Sequence, residues 1–169
     1  LISPLRETLT HFGWSTFSVQ LPVLSPRIGH SEYGSTFPEG NKRIRSAVLY
    51  LQDRGYSDIA IIGYGFGASI ALDYLVKNKS AIKALVGISM EDLPYLKPKY
   101  NLIEEIEKVT VPVLDIYGSR DTSGVIKSAD DRRLSGGKLG VGNYTQRIVF
   151  DADHYFMSRE TYLAQELAE

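Results

Sequence analysis

The stretch Ile61-Ile62-Gly63-Tyr64-Gly65-Phe66-Gly67-Ala68 decides the fold, because it has the pattern of a buried strand that turns sharply into a helix. Gly63, Gly65 and Gly67 alternate across this turn. The outer two glycines allow the strand and the helix to approach each other closely. The central position of such a turn has φ > 0, which glycine accepts with little strain. The stretch therefore predicts a strand–turn–helix unit with Gly65 at its sharpest bend.

Helix and strand patterns alternate along the chain on both sides of this turn. Apolar residues run continuously through the inner strands, which is typical of strands covered by helices on both faces. Repeated alternation of this kind predicts a three-layer α/β/α fold with a mainly parallel sheet of five strands. The predicted strands are 14–20, 58–63, 82–88, 112–117 and 144–150, the predicted helices are 4–12, 39–54, 66–78, 101–109, 125–135 and 157–168, and 21–40 is a predicted loop.

Composition narrows the class of protein. The chain has 169 residues, 43% of them hydrophobic, which predicts one soluble globular domain over residues 1–169. A net charge of −1 with scattered basic residues disfavours a nucleic-acid partner. The absence of cysteine excludes disulfides and cysteine catalysis. No apolar run is long enough to span a membrane.

The beginning of the chain indicates a missing upstream segment. The chain starts at Leu1 rather than Met, and Ser3 and Pro4 are typical of the cap and the first position of a helix. We infer that an upstream segment has been removed, and any targeting signal with it. The compartment stays open between periplasm and cytoplasm, and a signal peptide in that segment would favour the periplasm.

Two further strand ends carry residues that point to chemistry. Asp121 follows the strand within 111–121, and His154 follows the strand within 147–156. The carboxyl ends of parallel strands meet at one edge of a sheet, where function collects. With the glycine turn, the order along the chain is nucleophile position, acid, histidine, which is the order of α/β hydrolases.

On these residues the chain resembles the α/β-hydrolase superfamily. More narrowly, it resembles a bacterial family of unknown function within it, whose members tend to have a glycine-rich nucleophile elbow without serine. The resemblance covers essentially all 169 residues, from the helix after the third strand of the fold onward. It implies that Gly65 occupies the nucleophile position, that Asp121 orients the histidine and that His154 is the catalytic histidine. The early strand and the loop that normally supply one oxyanion donor are absent.

The missing hydroxyl at Gly65 favours a catalytically inactive domain that binds a ligand or a protein partner. The expected binding residues are Tyr64, Phe66, Gly67 and Tyr155, which surround the turn. A small anion or carbonyl group is the expected ligand, because the amides that open a helix have no partner within it. No cofactor is expected.

Two other functions stay open. The first is an esterase-like hydrolase with a displaced nucleophile or a water activated by His154 and Asp121. Ser89, at a strand end, is the replacement serine to test, whereas Ser69 lies too deep in its helix. The second is a dinucleotide-binding module, since Gly63-x-Gly65-x-x-Ala68 matches that fingerprint and Glu91 follows the next strand.

The remaining histidines and acids carry weaker signals. Asp151 and Asp153 lie next to His154 in the sequence and could suggest a metal site. Neighbouring side chains on an extended loop diverge, however, so no metal site is expected. His11 is interpreted as structural. His30 lies in the long loop and is a candidate for lining the cleft.

The resemblance also makes a prediction about the sheet. In the resembling fold an earlier strand, which this chain lacks, separates 14–20 from 58–63. Unpaired backbone groups inside a sheet cost about 1–3 kcal/mol each. We therefore expect these two strands to close up, or another chain or an upstream segment to fill the slot.

Overall fold

The fold is built on one parallel sheet. The structure is a computed structural model that describes residues 1–78 and 81–168, so Lys79, Ser80 and Glu169 lie outside it. The sheet has four strands in the order β1-β2-β3-β4, and every neighbouring pair is parallel. The strands are β1 (Ile59–Tyr64), β2 (Ile82–Ile88), β3 (Val113–Arg120) and β4 (Tyr144–Asp153).

Helices cover both faces of the sheet, which confirms the predicted three-layer α/β/α architecture. One apolar core joins α2, α3 and α4 to β1 and β2, and a second joins α1 and α7 to β3 and β4. No helix in the described part of the chain is both long enough and apolar enough to cross a membrane. The helices are α1 (Ile2–His11), α2 (Phe37–Gln52), α3 (Phe66–Lys77), α4 (Leu102–Ile106), α5 (Ser123–Lys127), α6 (Ala129–Gly137) and α7 (Glu160–Ala168), with a 3₁₀ helix at His30–Thr36.

Several predicted boundaries are wrong. The first helix begins at Ile2 with Leu1 as its N-cap and no side-chain cap, so Ser3 does not cap it. The predicted loop 21–40 contains the 3₁₀ helix and the first residues of α2, which begins at Phe37. The predicted helix 125–135 is two helices that meet at Ser128. Local sequence signals fix such ends poorly, because tertiary packing decides where a helix stops.

The prediction of a fifth strand at 14–20 is wrong. These residues form no helix or strand, and within the described chain they pair with no strand of the sheet. A largely apolar groove of about 640 Å³ lies between them and β1, with Trp14, Phe17 and Ile61 among its lining residues. The expectation that the two strands close up is therefore wrong, and the alternative, that another chain or an upstream segment fills the slot, stays a prediction. The alternation of 14–20 specifies two faces of an extended segment, but it cannot supply a neighbour.

Candidate functional site

The glycine turn has the geometry of a nucleophile elbow. Gly65 lies between β1 and α3 with φ 53° and ψ −125°, a conformation that strains any residue with a side chain. Its amide donates to the Ile88 carbonyl at 2.8 Å, which ties the turn to β2. A Cβ at Gly63 would lie 2.5 Å from the Ala68 Cα, so the close approach of strand and helix requires glycine there. A Cβ at Gly65 would meet no atom within 4 Å, so there is free space above the turn.

The Asp121 carboxylate lies directly after β3, and both of its oxygens are held. Oδ2 accepts from the Ser89 hydroxyl at 2.6 Å and from the Gly118 amide at 3.3 Å. Oδ1 accepts from the Thr122 amide at 2.8 Å and lies 2.6 Å from His154 Nδ1. The side chain has no exposed surface. Burial with several hydrogen bonds fixes the orientation of this group.

The His154 imidazole connects this buried carboxylate to the surface. The residue follows β4 directly, and its side chain is 24% exposed, against 0% for Asp121. Because a carboxylate only accepts hydrogen bonds, the contact at 2.6 Å assigns a proton to Nδ1. In the neutral ring Nε2 is then the nitrogen without a proton. Asp153 shapes the loop that follows, since its Oδ1 accepts from the amides of Tyr155 and Met157 at 3.0 and 3.1 Å.

Tyr64 links the elbow to the histidine loop. Its hydroxyl donates to the His154 carbonyl at 3.0 Å, and the two rings lie 5.1 Å apart. Burial, followed by the charges of Tyr155, Asp121 and Asp153, raises the pKa of Tyr64 to about 12. The hydroxyl therefore remains a donor at neutral pH. The structure thus places the elbow, Asp121 and His154 at one edge of the sheet.

The predicted binding residues lie around the turn in different ways. The Phe66 ring packs edge-on against Tyr33 and Phe37, with centroids 5.6 and 5.3 Å away. The Tyr155 ring lies edge-on to His154 at 5.4 Å and is largely exposed. A second, smaller cavity of about 140 Å³ lies beside Phe66, and His30 is among its lining residues with Tyr33, Leu93, Tyr95 and Leu96. His30 therefore lines a cavity beside Phe66, whose lining does not include Gly65, Asp121 or His154.

Neither Ser89 nor Ser69 lies where a replacement nucleophile would have to lie. The Ser89 side chain is completely buried and donates its proton to Asp121, so it faces the acid rather than the cleft. Ser69 is 1% exposed within α3. The sequence places Ser89 at a strand end, but it does not reveal the bond to Asp121, 32 residues away.

The other acids and His11 are engaged in contacts of their own or lie at the surface. Asp151 pairs with Arg120 at 3.2 Å and with Arg159 at 3.3 Å. Among the described residues, no three His, Cys, Asp or Glu side chains are grouped so that they could hold a metal ion. Glu91 packs against Gly124, in the helix that begins shortly after β3. His11 is exposed in the last turn of α1.

Solved structures show the fold to which this geometry belongs. The esterase domain of a Rhodothermus marinus protein matches with a TM-score of 0.72 and 13% identity over 99% of this chain and 76% of that one. An alpha-beta serine hydrolase homologue from Coxiella burnetii matches with a TM-score of 0.71 and 15% identity over 99% and 74%. A predicted CIB-like hydrolase from Thermoplasma acidophilum gives a TM-score of 0.60 and 14% identity over 78% and 57%. The chain thus spans 57% of the Thermoplasma protein and about three quarters of the other two.

These likenesses establish the fold and not an activity, because the identities are low. No curated protein matches the chain. The model of a family described as "Protein of unknown function (DUF3530)" matches residues 36–167, which is most of the chain. The chain therefore has the α/β-hydrolase fold and belongs to the DUF3530 family.

Proposed function

We propose that this domain keeps the framework of a hydrolase site without its covalent chemistry, and that it binds a carboxylate or carbonyl group at the Gly65 turn. One observation carries the proposal: the nucleophile position has the strained elbow geometry, with φ 53°, but no hydroxyl. Backbone strain of this kind persists where the surrounding structure maintains it. The turn is thus kept while the group that would attack a carbonyl is missing.

The donors for such a ligand are backbone amides. Phe66 and Gly67 open α3, so their N–H groups have no acceptor within the helix. The helix dipole adds about half a positive charge at this end. The free space above Gly65 gives a carboxylate room to approach these amides.

His154 supplies a third polar group beside the turn. With Nδ1 bonded to Asp121, Nε2 is the nitrogen that faces a ligand; it accepts a proton when neutral and donates when charged. A carboxylate therefore binds more tightly to the protonated histidine. The Asp121 carboxylate holds the imidazole in place by direct contact at 2.6 Å.

The same dyad supports a second candidate function, a hydrolase that uses water directly. In this reaction Nε2 of His154 removes a proton from a water molecule, the hydroxide adds to an ester carbonyl, and the proton passes to the leaving alcohol. The retained Asp121–His154 bond favours this candidate, because it sets the tautomer that a general base requires. A dinucleotide site, by contrast, gives no role to Asp121 or His154.

Labelling with a fluorophosphonate tests the chemical part of the proposal. We expect no labelling of the wild-type chain and no turnover of activated esters, and we expect labelling of Gly65→Ser, whose side chain has space at the turn. Gly137→Ser is the matched control, because it adds a hydroxyl at another glycine with open space. Ester turnover by the wild-type chain that is lost in His154→Ala would favour the water mechanism instead.

Nuclear magnetic resonance tests the binding part. Titration with benzoate should shift the amide signals of Phe66 and Gly67 and the ring signals of His154. The shifts should shrink in His154→Ala, which removes the third polar group beside the turn. Benzamide, which has the same ring without the charge, is the control ligand. Equal shifts with both ligands, or none with benzoate, would contradict a carboxylate site, and shifts with NAD alone would favour the dinucleotide module.

A further inference from the structure

Ser89 stands out because its backbone is strained at a fully buried position. It follows β2 directly, has φ 52° and has no exposed surface. Residues with a side chain avoid this left-handed region, so the surrounding structure must hold Ser89 there. Its amide donates to the Ile116 carbonyl of β3 at 2.8 Å, which anchors the backbone beside the next strand.

This conformation aims the hydroxyl at the acid of the site. Ser89 Oγ donates to Asp121 Oδ2 at 2.6 Å. A hydroxyl that donates to a carboxylate makes one of the stronger hydrogen bonds in proteins. The strain at Ser89 therefore coincides with a short bond to the residue that contacts His154.

The two carboxylate oxygens of Asp121 bond to different partners. Oδ2 accepts from the Ser89 hydroxyl and the Gly118 amide, whereas Oδ1 accepts from the Thr122 amide and contacts His154 Nδ1. A carboxylate held at both oxygens cannot turn about its Cβ–Cγ bond. Ser89 thus holds the oxygen that His154 does not use, and this keeps the other oxygen in line with Nδ1.

We propose that Ser89 is a positioning residue, which fixes the tautomer and the orientation of the His154 imidazole through Asp121. This inference rests on the proposed function only where it concerns ligand binding, since the hydrogen-bonded chain from Ser89 to His154 exists without a ligand. Ser89 is thereby not a nucleophile, although it is a serine at a strand end.

The test compares Ser89→Ala with Ser69→Ala. Ser69 is also buried, but among the described residues its hydroxyl has no hydrogen-bond partner, so its removal controls for the loss of a buried serine. The ring-nitrogen shifts of His154 in a long-range ¹H–¹⁵N spectrum report the tautomer, and His154→Ala assigns them. We expect the Nδ1-protonated form to dominate in the wild type and in Ser69→Ala, and a mixture of tautomers in Ser89→Ala.

A second readout uses the Gly65→Ser background. There, Ser89→Ala should slow fluorophosphonate labelling by about 3- to 10-fold, the effect of one lost hydrogen bond, while Ser69→Ala should not. Ser89→Gly gives a second test if the alanine variant does not fold, because glycine adopts positive φ readily while still removing the hydroxyl. An unchanged His154 tautomer in folded Ser89 variants would overturn the proposal. A changed tautomer with no benzoate binding by the wild type would instead retain the role of Ser89 and refute the binding function.

Discussion

Asp115 lies in β3 and Asp121 directly after it. Both are buried carboxylates, but Asp115 has structural partners whereas Asp121 belongs to the candidate site. Both side chains have no exposed surface. Asp115 contacts Arg132 Nε at 2.9 Å, and Arg132 is also completely buried. Tyr144 and Gln146 each donate to the same Asp115 oxygen at 2.8 Å. Among the described residues, the partners of Asp121 are the Ser89 hydroxyl, two backbone amides and the His154 imidazole.

The difference lies in where each network ends. The Arg132 guanidinium also donates to the Val125 carbonyl and the Ser128 hydroxyl, at 2.9 and 2.7 Å, so its charge is held entirely by groups within the protein. The Asp121 network ends on an imidazole that is 24% exposed beside the elbow. A buried carboxylate is thus a sign of a site only when its partners lead to a surface that a ligand can reach.

The largest expected effect is on stability, from Asp115→Asn. The amide keeps the shape of the side chain but leaves the Arg132 charge buried without a counter-ion. Removing one partner of a buried pair costs about 3–5 kcal/mol. Urea unfolding followed by circular dichroism should therefore show a large fall in the midpoint. A loss below about 1 kcal/mol would mean that the pair is reached by water.

Asp121→Asn sharpens the comparison, because the same substitution should cost less there, about 1–3 kcal/mol, since its NH₂ group faces a donor that the carboxylate satisfied. No buried guanidinium is stranded, because the described partners of Asp121 include no Arg or Lys side chain. In the Gly65→Ser background, however, this variant should label more slowly, since the histidine loses its oriented partner. Equal free energies of unfolding for the two Asn variants would refute the distinction between the networks.

Tyr144→Phe tests the Asp115 network with a smaller change, the loss of one hydroxyl. Burial, followed by Asp115, raises the pKa of Tyr144, so its hydroxyl is a donor at all ordinary pH values. The variant removes one of the hydrogen bonds to Asp115 and keeps the Arg132 pair, so we expect a loss of about 1 kcal/mol. Thermal or urea unfolding measures it. Gly65→Ser labelling should not change, since Tyr144 lies in the other network.

The smallest effect is the alkaline behaviour of Tyr64. The folded protein raises its pKa to about 12 from the ordinary value of 10.0, so the folded state keeps a proton that the unfolded chain loses. The stabilisation is complete below pH 10 and declines as the pH rises towards 12. Because the side chain is partly exposed, the decline should be modest. Unfolding at pH 9 and pH 11 should give a smaller decline for Tyr64→Phe than for the wild type.

The placement of Gly65, Asp121 and His154 at strand ends was predictable from the sequence, because each depends on a local pattern. A strand that runs into glycines identifies the turn at Gly65, and a polar residue after an apolar strand identifies Asp121 and His154. The Arg132–Asp115 pair and the Ser89–Asp121 bond join residues 17 and 32 positions apart, and no local pattern encodes such contacts. The strand predicted at 14–20 failed for a related reason: pairing depends on a neighbour that the segment's own residues do not specify.

Within the part of the chain that the structure describes, no strand pairs with the outer edge of β1, and this affects how residues 1–169 behave in solution. Peptide groups that no neighbouring strand uses readily recruit the edges of other molecules, and apolar side chains such as Trp14 and Phe17, which are 43% and 49% exposed, add to the attraction. Solutions of residues 1–169 should therefore self-associate as they are concentrated. Tyr64 and Gly67 line both this groove and the elbow, so crowding at the edge would reach the site itself. Affinities measured in dilute solution are the ones that describe the single molecule.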